Sequence, residues 1–463
     1  MRFHVIIIGG GIGGLCLAQG LRKGGLSVAV YEKGPRRADP HWLQGYQIHI
    51  NPSGSRALQE CLPPAVWDSL TTNACMPNAG FQVLSEQMKE IAFVEPATLD
   101  GTSHVPIVRA TLREVLLEGL DDAINFSKEF IRYERTPNGR VTAFFADGTT
   151  ATGDVLVGAD GTSSNVRKQY LPQAQIVDTG IVGAACRLPI SRDRRRHLPE
   201  HLLTRLTSVL PPKGTYMIVT QSIYRSGAKY MDPMGDHLIW VLISSCTTYG
   251  DADPKTMDGE SISRFALRLT NNWHPVLRNL IAGSDPKSVS AVPVLTSIPI
   301  EPWESTNITL LGDAIHTMTP LQGLGGSSAL RDAGQLRHEL VEVHTGTCTS
   351  TMAIRRYEKA MINYGFAAVR RSAWIGRVIV SDNRLLRGAF DPAQALQSLH
   401  QAAPAREPAW SGSRSRPPSW ASRTSECARR AEQPVSFDRA ARRISARFVQ
   451  SWQSPLSSFS LDR

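Results

Sequence analysis

The chain has 463 residues, 41% hydrophobic and 20% charged, which is the balance of a globular protein of two or three domains and excludes a fibrous or wholly disordered one. Its net charge is +10, but residues 401–463 hold eleven arginines against five acidic residues, leaving only +4 on the first 400 residues, so no nucleic-acid groove is expected. No apolar run is long enough for a transmembrane segment, and seven scattered cysteines without a C-x-x-C pair predict a reducing, intracellular (cytoplasmic) protein with no metal site.

The predicted elements begin at residue 5. Val5-Ile6-Ile7-Ile8 reads as a buried parallel strand, and Gly9-Gly10-Gly11-Ile12-Gly13-Gly14 as a tight turn into a helix. Gly9, Gly11 and Gly14 make G-x-G-x-x-G. The first lets the chain turn, the second lets backbone approach a pyrophosphate, and the third lets the helix pack on the strand. Residues 15–22 continue the helix, with Leu15, Ala18 and Leu21 on one face. Gly24-Gly25 ends it, residues 26–31 form a second strand, and Glu32 stands at that strand's end. An acidic side chain there suits a ribose hydroxyl, so the unit predicts dinucleotide binding, open to NAD or FAD. Because it opens so early, no targeting peptide is expected ahead of it.

Residues 34–47 read as a loop and Gln47-Ile48-His49-Ile50 as a strand edge. Asn51 caps a turn into a short helix at 55–62. Residues 80–95 suggest sheet with polar interruptions. Val105-Pro106-Ile107-Val108 runs into an amphipathic helix that opens with Arg109. Runs at 141–145 and 149–152 around Asp147-Gly148 predict a hairpin. Val155-Leu156-Val157 is a second buried strand, ending in Gly158-Ala159-Asp160-Gly161. From 176 to 295, short strand-like runs predict an antiparallel sheet with one solvent-facing side. Residues 308–311 return to a buried strand before Gly312-Asp313-Ala314-Ile315-His316, and 351–379 carry a long helical pattern. The expected division is 1–175 and 301–400 in one domain, 176–300 inserted as a second, and 401–463 as a disordered Ser/Pro/Arg-rich tail.

Three strand-to-glycine junctions in this order make residues 3–380 resemble the class A flavin-dependent monooxygenases. This is the para-hydroxybenzoate hydroxylase-like group, and within it the fungal secondary-metabolite branch. The resemblance implies an α/β fold: a Rossmann-like FAD-binding domain, an inserted antiparallel-sheet substrate domain and C-terminal helices. It implies FAD held by Gly9, Gly11 and Gly14, with Glu32 on the adenosine ribose, and Asp160-Gly161 and Arg167 serving both FAD and the nicotinamide donor. Asp313 would take the ribityl/pyrophosphate portion. Pro320 and the glycines up to Gly326 would line the isoalloxazine, while Gly45 and Arg109 touch the cofactor. NAD(P)H and O₂ are the implied co-substrates, one oxygen entering a small-molecule substrate and the other leaving as water. On the substrate side it implies a catalytic arginine, matched by Arg187, and a tyrosine, Tyr216 in preference to Tyr224.

Other readings of these residues stay open. Asp160 also suits a turn or helix cap, Arg109 and Arg187 suit surface arginines, and His316 reads as structural or flavin-adjacent. The basic run at 192–197 reads as a solvated loop. Ser327 stands where the family commonly has Asn. The expected function is hydroxylation or epoxidation of an aromatic, polyketide or terpenoid-type intermediate. The alternatives are a flavin dehydrogenase or reductase of the same fold and a non-catalytic flavin-binding homologue.

Overall fold

The computed structural model describes residues 3–36, 46–95 and 104–383. The first strand, His4–Ile8, is the centre of a five-stranded parallel sheet. Ser27–Tyr31 and then Ile124–Asn125 lie on one side of it, Val155–Gly158 and then Ile308–Leu310 on the other. Val5, Ile6 and Ile7 are fully buried, as are Val155, Leu156 and Val157. Near-continuous apolar runs are what a strand covered on both faces requires. All pairings are parallel, so the glycine-rich segments after Ile8, Gly158 and Leu310 emerge along one edge, the carboxyl edge of the sheet. Ligands of open parallel sheets bind along that edge.

A second sheet has seven strands. In spatial order they are Ser290–Ser297, Ile176–Pro189, His237–Ser245, Thr215–Ser222, Leu206–Val209, Phe81–Leu84 and Glu90–Val94. Its pairings are antiparallel except that between Leu206–Val209 and Phe81–Leu84, which is parallel. Two of its strands therefore come from the 81–94 stretch, well ahead of 176. The expected solvent-facing side is not found. Helices Gly259–Leu269 and Pro275–Ala282 cover one face, against Cys186, Leu188, Met217, Trp240 and Leu242. On the other face, Ile181, Tyr216, Ile218, Val241 and Ile243 pack with Leu321, Ile375 and Ile379.

The last two of those residues belong to the helix Ser350–Ile379, which joins the two sheets. Near its start the Tyr357 hydroxyl donates to the Leu310 carbonyl, 2.9 Å away, behind the parallel sheet. A two-stranded ribbon of Gln47–Ile50 and Val105–Val108 makes a second tie, as Thr220 Oγ1 donates to Gln47 Oε1 at 2.9 Å. The expected hairpin forms at Val141–Phe145 and Thr150–Gly153, with Gly148 at φ +79 in its turn. Asn51 Oδ1 accepts from the Gly54 amide at 3.1 Å, capping the helix Pro52–Cys61. Among the described residues no helix is long and apolar enough to cross a membrane, and no cluster of metal ligands occurs. The tail at 401–463 lies outside the described residues.

Candidate active site

The three glycines of the first turn do different work. Gly9 has φ +112, and a Cβ there would lie 2.2 Å from the Ala159 carbonyl oxygen, so a side chain is excluded twice over. A Cβ on Gly14 would lie 2.2 Å from the Gly9 carbonyl oxygen. Gly11 has nothing within 4 Å of its Cβ position and faces open space. It is also the N-cap of the helix Ile12–Lys23, which has no side-chain cap. An uncapped helix start beside an open backbone surface suits phosphate, which takes up free N–H groups and the positive end of the dipole.

Glu32 braces this turn. Its Oε2 accepts from the Gly10 amide at 2.6 Å and its Oε1 from the Gly34 amide at 2.8 Å. Arg113 was not expected here, but its Nε donates to the Gly10 carbonyl at 3.1 Å. The available signal was its place one turn after Arg109 on the same helix, Arg109–Leu117.

At the second junction, Asp160 braces the start of the helix Asn165–Tyr170, whose N-cap is Ser164. Oδ1 accepts from Ser164 Oγ at 2.5 Å, and Oδ2 from the amides of Asn165 and Val166 at 2.8 and 3.2 Å. Burial pushes its carboxyl up, against these hydrogen bonds. Of the two readings of Asp160, the structural one, at a turn into a helix, is the one drawn in hydrogen bonds. Arg167, buried in the helix that follows, donates from Nη1 to the Ala314 carbonyl at 2.9 Å, linking this junction to the third.

Asp313 opens the third turn, Asp313–His316, and is solvent-exposed. Even so, loss of bulk water pushes its carboxyl up, with His316 and Arg109 pulling the other way. A solvent-accessible carboxyl at the carboxyl edge of the parallel sheet stands in the cleft where such sheets bind ligands. Tyr46 has the same character: it is 38% exposed, yet loss of bulk water raises its phenol, and the charges of Arg109 and Asp313 both act on it. Arg109 donates its backbone N–H to the Tyr46 carbonyl at 3.0 Å, which places the predicted arginine at this cleft. Gly45 lies outside the described residues.

The far wall is the start of the helix Leu324–His344, again without a side-chain cap. A Cβ on Gly325 would stand 4.0 Å from Asp313 Oδ1. One on Gly326 would stand 3.5 Å from Ile12 Cδ1 and 3.8 Å from Ile48 Cδ1. The two uncapped helix starts are thus neighbours, with Asp313 beside them. Ser327 is buried, and its hydroxyl accepts from the Asn51 amide at 3.1 Å. His316 is fully buried, its Nε2 2.7 Å from Asp332 Oδ2. Burial disfavours its charge, but facing Asp332 outweighs this and moves the imidazole up. It is a structural residue beneath the cleft.

Arg187 and Tyr216 project from the same face of the seven-stranded sheet but are not brought together. Arg187 pairs across Ile239 to Thr220, while Tyr216 pairs across Ile243 to Gly183. Four residues along and two strands across puts their Cα atoms roughly 16 Å apart. The Tyr216 hydroxyl sits 2.6 Å from Ser208 Oγ. Arg187 instead forms a largely buried ion pair with Asp232, whose amide donates to the Tyr224 hydroxyl at 3.0 Å. Tyr224, the less favoured tyrosine, is the one that shares a partner with Arg187. His49, also unforeseen, lies edge-on to Phe81, and burial together with His104 pushes its imidazole down to about 3, keeping it neutral.

The geometry is that of a dinucleotide cleft facing a second sheet, and known proteins agree. Residues 117–372 match the FAD binding domain family, and 7–38 match an NAD(P)-binding Rossmann-like domain. A chain from Photorhabdus luminescens, assigned as an FAD-containing monooxygenase, superposes with a TM-score of 0.74 at 33% identity, over 82% of this chain and 98% of that one. Klebsiella pneumoniae HpxO, solved with FAD and uric acid, shares the fold at a TM-score of 0.69 and 22% identity, over 86% of this chain and 92% of that one. Among curated proteins, the dual O-methyltransferase/FAD-dependent monooxygenase CTB3 of Cercospora beticola is 31% identical over 389 residues, 77% of this chain. This chain spans 44% of that relative's length. The chain belongs to the class A FAD-dependent monooxygenase family.

Proposed function

We propose that this chain is a monooxygenase that holds FAD along its carboxyl-edge cleft, takes electrons from NAD(P)H and transfers one oxygen atom of O₂ to a small organic substrate. The observation that carries the reading is the pair of adjacent uncapped helix starts, at Ile12 and Leu324, with the accessible carboxyl of Asp313 beside them. Gly11 and the first of these helix starts suit the pyrophosphate, Glu32 the adenosine ribose, Asp313 sugar-chain hydroxyls, and Gly325 and Gly326 a flat ring. Bound there, FAD supplies the redox and oxygen chemistry.

The chain's own residues orient and exclude water. Ile218 and Val241 of the second sheet pack with Leu321, close in sequence to the glycines of the far wall, and this apolar layer favours an aromatic, polyketide or terpenoid-type substrate and helps keep the reacting centre dry. Arg187 supplies a cation on that face, held by Asp232. Neutral His49 supplies a hydrogen-bonding group. Secondary-metabolite biosynthesis fits the fungal relative.

The test is direct. Purified protein should be yellow and carry FAD, NAD(P)H oxidation should rise with an accepted substrate, and ¹⁸O₂ should label the product. Colourless protein that takes up no FAD would overturn the reading. Turnover without ¹⁸O in the product would make it a dehydrogenase or reductase.

A further inference from the structure

The segment that presents Asp313 is held at both ends by one carboxylate. Gly312 donates its amide to Asp332 Oδ2 at 2.8 Å, and His316 Nε2 lies 2.7 Å from the same oxygen. Asp313 lies between them. The other oxygen, Oδ1, accepts from the hydroxyl of Tyr364 on the long C-terminal helix. Asp332 and His316 are fully buried. Gly312 has φ +63 and ψ −138, a conformation open to glycine and strained for any other residue. The strand before it and the helix carrying Asp332 have other anchors: Tyr357 on the Leu310 carbonyl, and the buried Leu330, Ala333 and Leu336. Asp332 also lies on the helix whose first turn contributes Gly325 and Gly326 to the opposite wall.

We propose that Asp332 is a positioning residue for the cofactor: it fixes the Gly312–His316 turn relative to the Leu324–His344 helix and so sets where Asp313 meets FAD. This rests on the FAD reading above. Its carboxylate accepts from three donors on two elements, the Gly312–His316 turn and the helix Ser350–Ile379, so moving it would shift Asp313 against the glycine wall while the apolar packing stays in place.

The test uses the full chain. Asp332→Ala should weaken FAD binding at least tenfold on reconstitution and change the visible circular dichroism of the flavin that still binds. Asp332→Asn, whose oxygen can still receive Gly312 and His316, should restore affinity to within a few-fold. Leu336→Ala, one turn further along the same helix, should lower the melting temperature while leaving flavin dichroism and affinity within twofold. If Asp332→Ala is not recovered folded, His316→Ala releases only the far end of the segment and should weaken FAD at least threefold with the same spectral change. Wild-type affinity and dichroism in Asp332→Ala, or in His316→Ala where Asp332→Ala is not recovered folded, would overturn the proposal. So would failure of Asp332→Asn to restore binding, or flavin loss in Leu336→Ala equal to that in Asp332→Ala. Wild-type protein that takes up no FAD would overturn the functional reading itself.

Discussion

Arg167 Nη1 donates to the carbonyl oxygen of Ala314 across 2.9 Å of protein interior, joining two cofactor-edge turns that lie 147 residues apart in the chain. Arg167 is 4% exposed, and burial moves its guanidinium down while Asp160 pulls it up. Arg167→Met keeps much of the side-chain volume and removes this bond. The expected loss is about 2 kcal/mol of stability, in the range of a hydrogen bond to a charged group. Lower FAD occupancy should accompany it. Urea unfolding with flavin absorbance measures both, and unchanged values would show that the two turns stand independently.

The first-turn glycines separate fold from ligand. Gly14→Ala sets a methyl group 2.2 Å from the Gly9 carbonyl oxygen and should disrupt packing of the first helix on its strand, seen as poor expression or a lowered melting temperature. Gly11→Ala meets nothing in the protein. It should melt as wild type does and yet bind FAD at least tenfold more weakly. Full FAD affinity in Gly11→Ala would place the pyrophosphate elsewhere.

Glu358 should make stability depend on pH. Its Oε2 accepts from Ser305 Oγ at 2.5 Å and its Oε1 from Thr309 Oγ1 at 2.8 Å, and burial pushes the carboxyl up to about 7. The folded state therefore binds this proton more tightly than the unfolded state, whose carboxyl titrates near its ordinary value of 4.5. The stabilising contribution is complete below the unfolded pKa and is lost as pH rises through the folded one. The loss is at most roughly 3 kcal/mol, reached above about pH 7. Glu358→Gln should flatten this part of the profile between pH 5 and 8 in chemical denaturation. Parallel profiles for wild type and variant would refute the assignment.

On the substrate side, the shared partner of Arg187 and Tyr224 predicts an unequal pair of tyrosines. Arg187→Gln should retain FAD and lose most substrate-dependent ¹⁸O incorporation. Tyr224→Phe removes the acceptor for the Asp232 amide and should shift turnover in the same direction, by a smaller factor. Tyr216→Phe removes a contact to Ser208 only and should stay within about threefold of wild type. Equal losses for the two tyrosine variants would return Tyr216 to the arginine's neighbourhood.

Local signals were the legible ones. The first βαβ unit, the Asp147-Gly148 hairpin and the Asn51 cap each follow from residues within a few positions of one another, and each forms. Pairings between distant residues left no such mark. Nothing at Phe81–Leu84 announces that this strand joins Leu206–Val209, because a parallel partner is chosen by the whole sheet. Asp332 and Tyr364 stand on separate helices, and only the packed chain brings them to Gly312 and His316. The helix Leu324–His344 was not foreseen either, since its opening Gly325-Gly326-Ser327-Ser328 has poor helix propensity, which packing against the helices Ile12–Lys23 and Pro52–Cys61 overrides. Asp160 illustrates a residue with two readings, where its hydrogen bonds run to the opening amides of the next helix, Asn165–Tyr170.

The edge strand Ile308–Leu310 bears on how the molecule is made. It completes a sheet whose central strand is His4–Ile8, far ahead of it in the chain, and the helix behind it ends at Ile379. Residues up to Leu310, and then the helix that ends at Ile379, must therefore be synthesised before the third turn can close the cofactor edge. Contacts so remote in sequence are slow to form. A nascent chain stalled before residue 308 should emerge unable to retain flavin, and cutting the gene near residue 300 should not yield two halves that each fold alone.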